Sequence, residues 1–215
     1  MAKYGTLIWI SLIILFTAFL IYPPTHLLFI DTTTTHPYLM AFAKFAILSI
    51  MGEFLAVRLV SGNWQPVKGM LAKMLVWGML GITIVLMFAL YTGGIDSAAA
   101  KGLIYTGYPS IKILRAFYIS AIMNLTFGPV FMAAHRITDT WIDAKYSGNK
   151  ITVSQAISTI DWSGFIKFVV GKTIPLFWIP AHTITFLLPD QYKVIFAASL
   201  SIFLGLILSF AKMKK

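Results

Sequence analysis

The chain has no cysteine, few acidic residues and few polar stretches, and each shortage removes a class of function. Without cysteine there is no disulfide framework, thiolate metal site or cysteine nucleophile. Asp and Glu together number 7, and charged residues make up 11% of the 215, less than half the roughly one quarter found in soluble domains. Paired carboxylates, a Gly-rich phosphate loop, a Gly-x-Ser-x-Gly elbow and a His-Glu-x-x-His helix are all missing. His26, His36, His135 and His182 do not make a metal spacing such as His-Glu-x-x-His among themselves. No named enzyme chemistry, metal or cofactor is therefore expected; intramembrane acid or serine chemistry is the residual enzyme reading.

What is present is apolar: 59% of the residues are hydrophobic. That composition predicts an all-α, polytopic helical membrane bundle, a single transmembrane domain over 1–215. About six transmembrane helices are expected, near 7–22, 38–58, 74–91, 111–134, 165–188 and 194–210. The first reads as a retained span rather than a signal peptide, because no small-residue cleavage site follows it. The net charge of +10 points to membrane topology and not to nucleic acid, since the basic residues sit between apolar runs instead of on one polar face. With both termini on the cytoplasmic side, Lys3, Arg58, Lys68, Lys73, Arg136, Lys145, Lys150, Lys167, Lys212, Lys214 and Lys215 lie inside. Lys101, Lys112, Arg115 and Lys193 lie outside. That asymmetry favours the inward orientation.

Between the spans, Thr25 to His36 reads as a linker, and Thr35-His36-Pro37 as an N-cap followed by a proline in the first turn. Ser61 to Lys73 reads as a loop. Gly78 and Gly81 predict a close helix contact. Gly93 to Ser110 suits a short interfacial helical turn, His135 and Arg136 end the fourth span, and Thr152 to Gln155 has capping-box spacing. Ala197, Ser201, Gly205 and Ser209 form a small-residue ladder, expected to pack on the second or fifth span. Phe165 to Lys193 carries Lys172, Pro175, Trp178, Pro180, His182 and Pro189. Prolines remove backbone donors, so this segment belongs inside a bundle that can re-satisfy the freed carbonyls.

Glu53 is the one acidic residue within an expected span. It either reaches the headgroups or Arg58, forms a buried structural ion pair, or serves a pore or proton site. Lys44, nine residues away, projects from the opposite helix face and cannot neutralise it. Depth matching makes Lys172 the expected partner of Glu53, while Lys44 and Lys172 can also snorkel. His182 reads as a hydrogen-bonding group between helices more readily than as a ligand. Trp178 lies mid-span, and its indole N–H should seek a partner on another helix.

Three patches resemble the Mpv-seventeen/PMP-twenty-two family of inner-mitochondrial and peroxisomal membrane proteins. One is His36-Pro37 leading to Gly52-Glu53. Another runs from Arg115 through Gly128-Pro129 to Asp139. A third comprises Trp178, Pro180, His182, Phe186, Pro189, Tyr192 and Lys193. The chain differs from the family in its first span and in the stretch Ser61 to Ser110, which looks inserted. A distant microbial member is the expectation. The resemblance implies a small-solute channel or pore, with Glu53, Asn124, Lys172, Trp178 and His182 as polar-core candidates and Gly52, Gly128, Pro129, Pro175, Pro180, Pro189 and Gly205 as structural positions. The alternative is a structural or lipid-interacting membrane protein without transport activity. The lipid bilayer is the expected partner, alone or with further copies of the chain. A microbial cytoplasmic membrane is favoured over an organelle membrane.

Overall fold

The computed structural model describes residues 2–106 and 112–213, with side-chain surroundings for 4–106, 112–204 and 206. The described residues are helical, without a strand. Among the described residues five helices are long and apolar enough to cross a membrane: Tyr4–Ile21, Pro37–Ser61, Met70–Ala100, Lys112–Tyr146 and Trp162–Leu187. This architecture is compatible with an integral membrane protein. A hydrocarbon core about 30 Å thick needs roughly 20 helical residues, and each of these helices comes close to or exceeds that length. The chain forms two compact units, Met1–Ile82 with Ala198–Lys215, and Thr83–Ala197.

In the first unit, α1 (Ala2–Ile21) is followed by α2 (Pro23–Thr35) and α3 (Pro37–Ser61). The expected linker Thr25 to His36 is thus a helix. Thr32, Thr34 and Thr35 turn their hydroxyls back onto the carbonyls one turn earlier, those of Leu28, Ile30 and Asp31, which satisfies them without leaving the helix. Thr35 therefore ends α2, and His36 rather than Thr35 is the residue at the start of α3, with Pro37 in its first turn. Gly62 closes α3 at φ 73 and Gly69 precedes α4 (Met70–Ala100) at φ 63. Both are left-handed conformations that glycine adopts without a Cβ penalty.

The loop is shorter than expected, and Lys73 sits inside α4. Gly78 and Gly81 do face α3: a Cβ on Gly78 would overlap the Phe42 ring, and one on Gly81 would lie 2.7 Å from the Ala41 carbonyl oxygen. A Cβ on Gly52 would lie 3.0 Å from the Ser201 carbonyl oxygen on α9 (Asp190–Met213). The Ser201 part of the ladder therefore packs on α3, the second expected span. Gly205 and Ser209 lie outside the residues whose surroundings are described.

In the second unit, α4 continues to Ala100, so no separate interfacial turn begins at Gly93. Arg115 donates from Nε and a terminal nitrogen to both oxygens of Asp96, each at 2.6 Å, tying α4 to α5 (Lys112–Tyr146). α5 does not stop at His135 and Arg136 but runs on to Tyr146. Its 35 residues span about 52 Å, well beyond the hydrocarbon thickness. The chain returns through α6 (Val153–Thr159), which has the expected capping box between Thr152 and Gln155, and the single turn α7 (Trp162–Gly164).

Next comes a π-helix over Phe165–Trp178, followed by α8 (Ile179–Leu187). The proline-bearing stretch explains the wide winding. Pro175 and Pro180 cannot donate, and the Ile179 N–H reaches back five residues to Ile174. Pro129 lies inside α5, and Pro189 sits in the break between α8 and α9.

Candidate functional site

Ser120, Asn124, Trp178 and His182 of the second unit meet where α5 packs on the π-helix and α8. Ser120 and Asn124 are one turn apart on α5 and share a face. Ser120 donates its hydroxyl to the Ile179 carbonyl oxygen at 2.7 Å, an oxygen at the junction of the π-helix and α8. Asn124 Nδ2 donates to the Ser120 carbonyl oxygen at 2.8 Å and faces His182 Nδ1 at 3.0 Å. Asn124 Oδ1 also lies 3.1 Å from Nδ1, so the amide and the ring share one hydrogen bond whose donor, Nδ2 or Nδ1, is set by the imidazole tautomer. Asn124 and His182 are 4% and 8% exposed. A buried amide and imidazole so placed hold each other in register, because either alone would lose the hydrogen bonds it makes in water.

Trp178, one helical turn before His182, stacks on the imidazole with ring centroids 5.3 Å apart and planes inclined at 23°. Phe88 of α4 meets the same imidazole edge-on, with ring centroids 6.0 Å apart. Gly128 lets Ile174 approach α5, a Cβ there lying 3.4 Å from its Cδ1 atom. The Trp178 indole N–H is buried and has no acceptor among the described residues. The sequence expectation of an interhelical partner for it is not met. Such a donor is costly to leave unmade, by about 1–3 kcal/mol, and most native instances mark water, an ion or a function.

The remaining polar-core candidates lie elsewhere. Glu53, in the first unit, accepts from Lys73 Nζ at 3.1 Å on one oxygen and from Trp77 Nε1 at 3.0 Å on the other. Its ion partner is therefore Lys73, not Lys172. The side chains of Lys73 and Glu53 are 8% and 23% exposed, so this is the buried structural pair among the alternatives for Glu53. Lys172 is exposed on the π-helix. Lys44 is buried; it donates to Thr33 Oγ1 at 2.8 Å and lies 4.4 Å from the centre of the Phe29 ring. Both partners are on α2, the segment expected to be a linker.

Ser120 was missed by the sequence reading, although its place one turn before Asn124 was a signal that could have found it; Phe88 carried no signal beyond its place in an apolar helix. Among the described residues no group of three or more His, Asp or Glu side chains comes together as a metal site. Comparison with models of protein families, with curated proteins and with solved structures gave no match.

Proposed function

We propose that the chain is a multi-pass membrane protein that passes a small polar solute through the second unit, along the Ser120, Asn124, Trp178 and His182 cluster. The observation that carries this reading is the buried indole N–H of Trp178, a donor without an acceptor beside an amide and an imidazole. A solute or water with an acceptor atom satisfies it, and the stacked rings offer a flat apolar wall. The wide π-helix supports the reading too, since π-helical insertions are frequent at functional sites. α9 serves as the sixth span in this account, with both termini on the basic, cytoplasmic side. The resemblance to the Mpv-seventeen/PMP-twenty-two family agrees with this class of activity.

A structural role is the second reading, favoured by the first unit, where Glu53 is held by Lys73 and Trp77 and Lys44 by Thr33. Efflux from proteoliposomes loaded in turn with glycerol, a neutral amino acid and potassium separates the two. The transport reading expects release of at least one solute above protein-free vesicles, and Trp178→Phe, which keeps the ring but loses the donor, should slow it about tenfold. Release equal to that of empty vesicles for every solute favours the structural role.

A further inference from the structure

A separate cavity of about 370 Å³ lies in the second unit below the polar cluster in chain order, lined by Arg136 and Thr140 of α5, Thr159 of α6, Ile160, Asp161 and Gly164 of the following turn, and Phe165, Phe168 and Val169 of the π-helix. Its volume falls at the small end of the range for small-molecule sites, roughly 300–1,000 Å³. The wall is divided by chemistry. Ile160, Phe165, Phe168 and Val169 make one side apolar, while Arg136 and Asp161 bring opposite charges to the same space.

These two charges do not form an ion pair with each other or with another side chain among the described residues. The Thr140 and Thr159 hydroxyls are spent on backbone carbonyls, those of Arg136 and Ala156, leaving their oxygens as acceptors only. One Asp161 oxygen accepts the Gly164 N–H at 2.8 Å, which fixes the carboxylate and leaves the second oxygen for a cation. Among the described residues no acceptor takes a guanidinium donor of Arg136, and that planar fork suits a phosphate.

We infer that this cavity takes the headgroup of a zwitterionic phospholipid, its phosphate on Arg136 and its ammonium on Asp161. The inference rests on the membrane reading but not on transport. α5 passes its apolar stretch near Ala134, so Arg136 and Thr140 stand at its polar end. Trp141 directly follows Thr140 and Trp162 directly follows Asp161, and tryptophans are enriched at a lipid–water interface. Lys145, Lys150 and Lys167 nearby supply the general basic character of that end. A merely basic surface would favour anionic lipid. Asp161 in the wall is what turns the preference toward a headgroup that carries its own cation.

The test uses the full chain in detergent, with phosphatidylethanolamine, phosphatidylcholine or phosphatidylglycerol of identical acyl chains added, and bound lipid counted by native mass spectrometry. Retention of the ethanolamine or choline lipid over the glycerol lipid by roughly tenfold is expected. Arg136→Gln should lose that retention, and Asp161→Asn, which keeps the acceptor for Gly164, should abolish the preference while glycerol lipid binding rises. Lys150→Gln, outside the cavity, should change nothing. Equal retention of the three lipids by the native chain, or a preference that survives Asp161→Asn, would overturn the inference. Free phosphoethanolamine competing at the same concentration as the lipid would assign the site to a soluble zwitterion instead.

Discussion

The Lys73 ammonium lies 3.1 Å from Oε2 of Glu53, across from a residue 20 positions earlier in the chain. Trp77, one turn after Lys73 on α4, donates its indole N–H to the other carboxylate oxygen. The carboxylate is thus held by two donors on one helix face, which fixes how α4 lies on α3. Breaking a buried pair costs about 3–5 kcal/mol, and the partial exposure of Glu53 brings the expected loss to the lower end. Glu53→Gln and Lys73→Met should each lower the melting temperature in detergent, and the double variant should recover part of the loss. Independent, additive effects in the double-mutant cycle would contradict the pair. Lys172→Met serves as the contrast and should leave stability nearly unchanged.

Lys44 differs in having a hydroxyl and a ring as partners, with no acid beside it among the described residues. Removing a buried cation without a counter-charge relieves desolvation, so Lys44→Met should keep or raise stability. Thr33→Val removes the acceptor and leaves the charge, and should cost about 1–3 kcal/mol. A chemical denaturation pair of these two variants checks the ordering; a larger loss for Lys44→Met than for Thr33→Val would show that the lysine binds something further.

Three glycines make a graded packing test. A Cβ on Gly81 would press on the Ala41 carbonyl at 2.7 Å, one on Gly52 would meet Ser201 at 3.0 Å, and one on Gly93 would meet nothing within 4 Å. Backbone cannot step aside as a side chain can. Gly81→Ala should be the most harmful, by about 1–3 kcal/mol, Gly52→Ala less so, and Gly93→Ala neutral or stabilising by up to about 1 kcal/mol. Any other order of melting temperatures would mean that α3, α4 and α9 do not pack as described.

The helical class and five of the spans were readable because length and apolar content decide them before any tertiary detail. The boundaries of α4 and α5 were not, since the sequence places Lys73 in the loop before the third span, Asp96 in a separate interfacial turn and Arg136 at the end of the fourth span. Two of these charges are paired within the fold, Lys73 with Glu53 and Asp96 with Arg115, and a paired charge can lie within a helix. Pairing is a tertiary fact. The same reason misdirected Glu53 toward Lys172: matched depth along two helices says nothing about which faces meet. Asn124, Trp178 and His182 were singled out as polar groups within apolar segments, and they do come together. Thr25 to His36, a linker by sequence, is instead helical as far as Thr35, because Thr32, Thr34 and Thr35 turn their hydroxyls back onto carbonyls of α2.

The side of the membrane that holds the connection between α5 and α6 can be read with one thiol, since the chain has no cysteine. Ser147 lies just past the end of α5. Ser147→Cys should react with an impermeant maleimide from the side that also exposes the C-terminal tag. Labelling from the opposite side would reverse the orientation.

A single introduced thiol also reaches the heart of the account. With Asn124→Cys reconstituted in liposomes that release the solute found for the native chain, a small water-soluble methanethiosulfonate should label the thiol and stop the remaining release. A thiol that stays unreactive in the folded protein, or full labelling with release undiminished, would contradict a solute path past Asn124, His182 and Trp178.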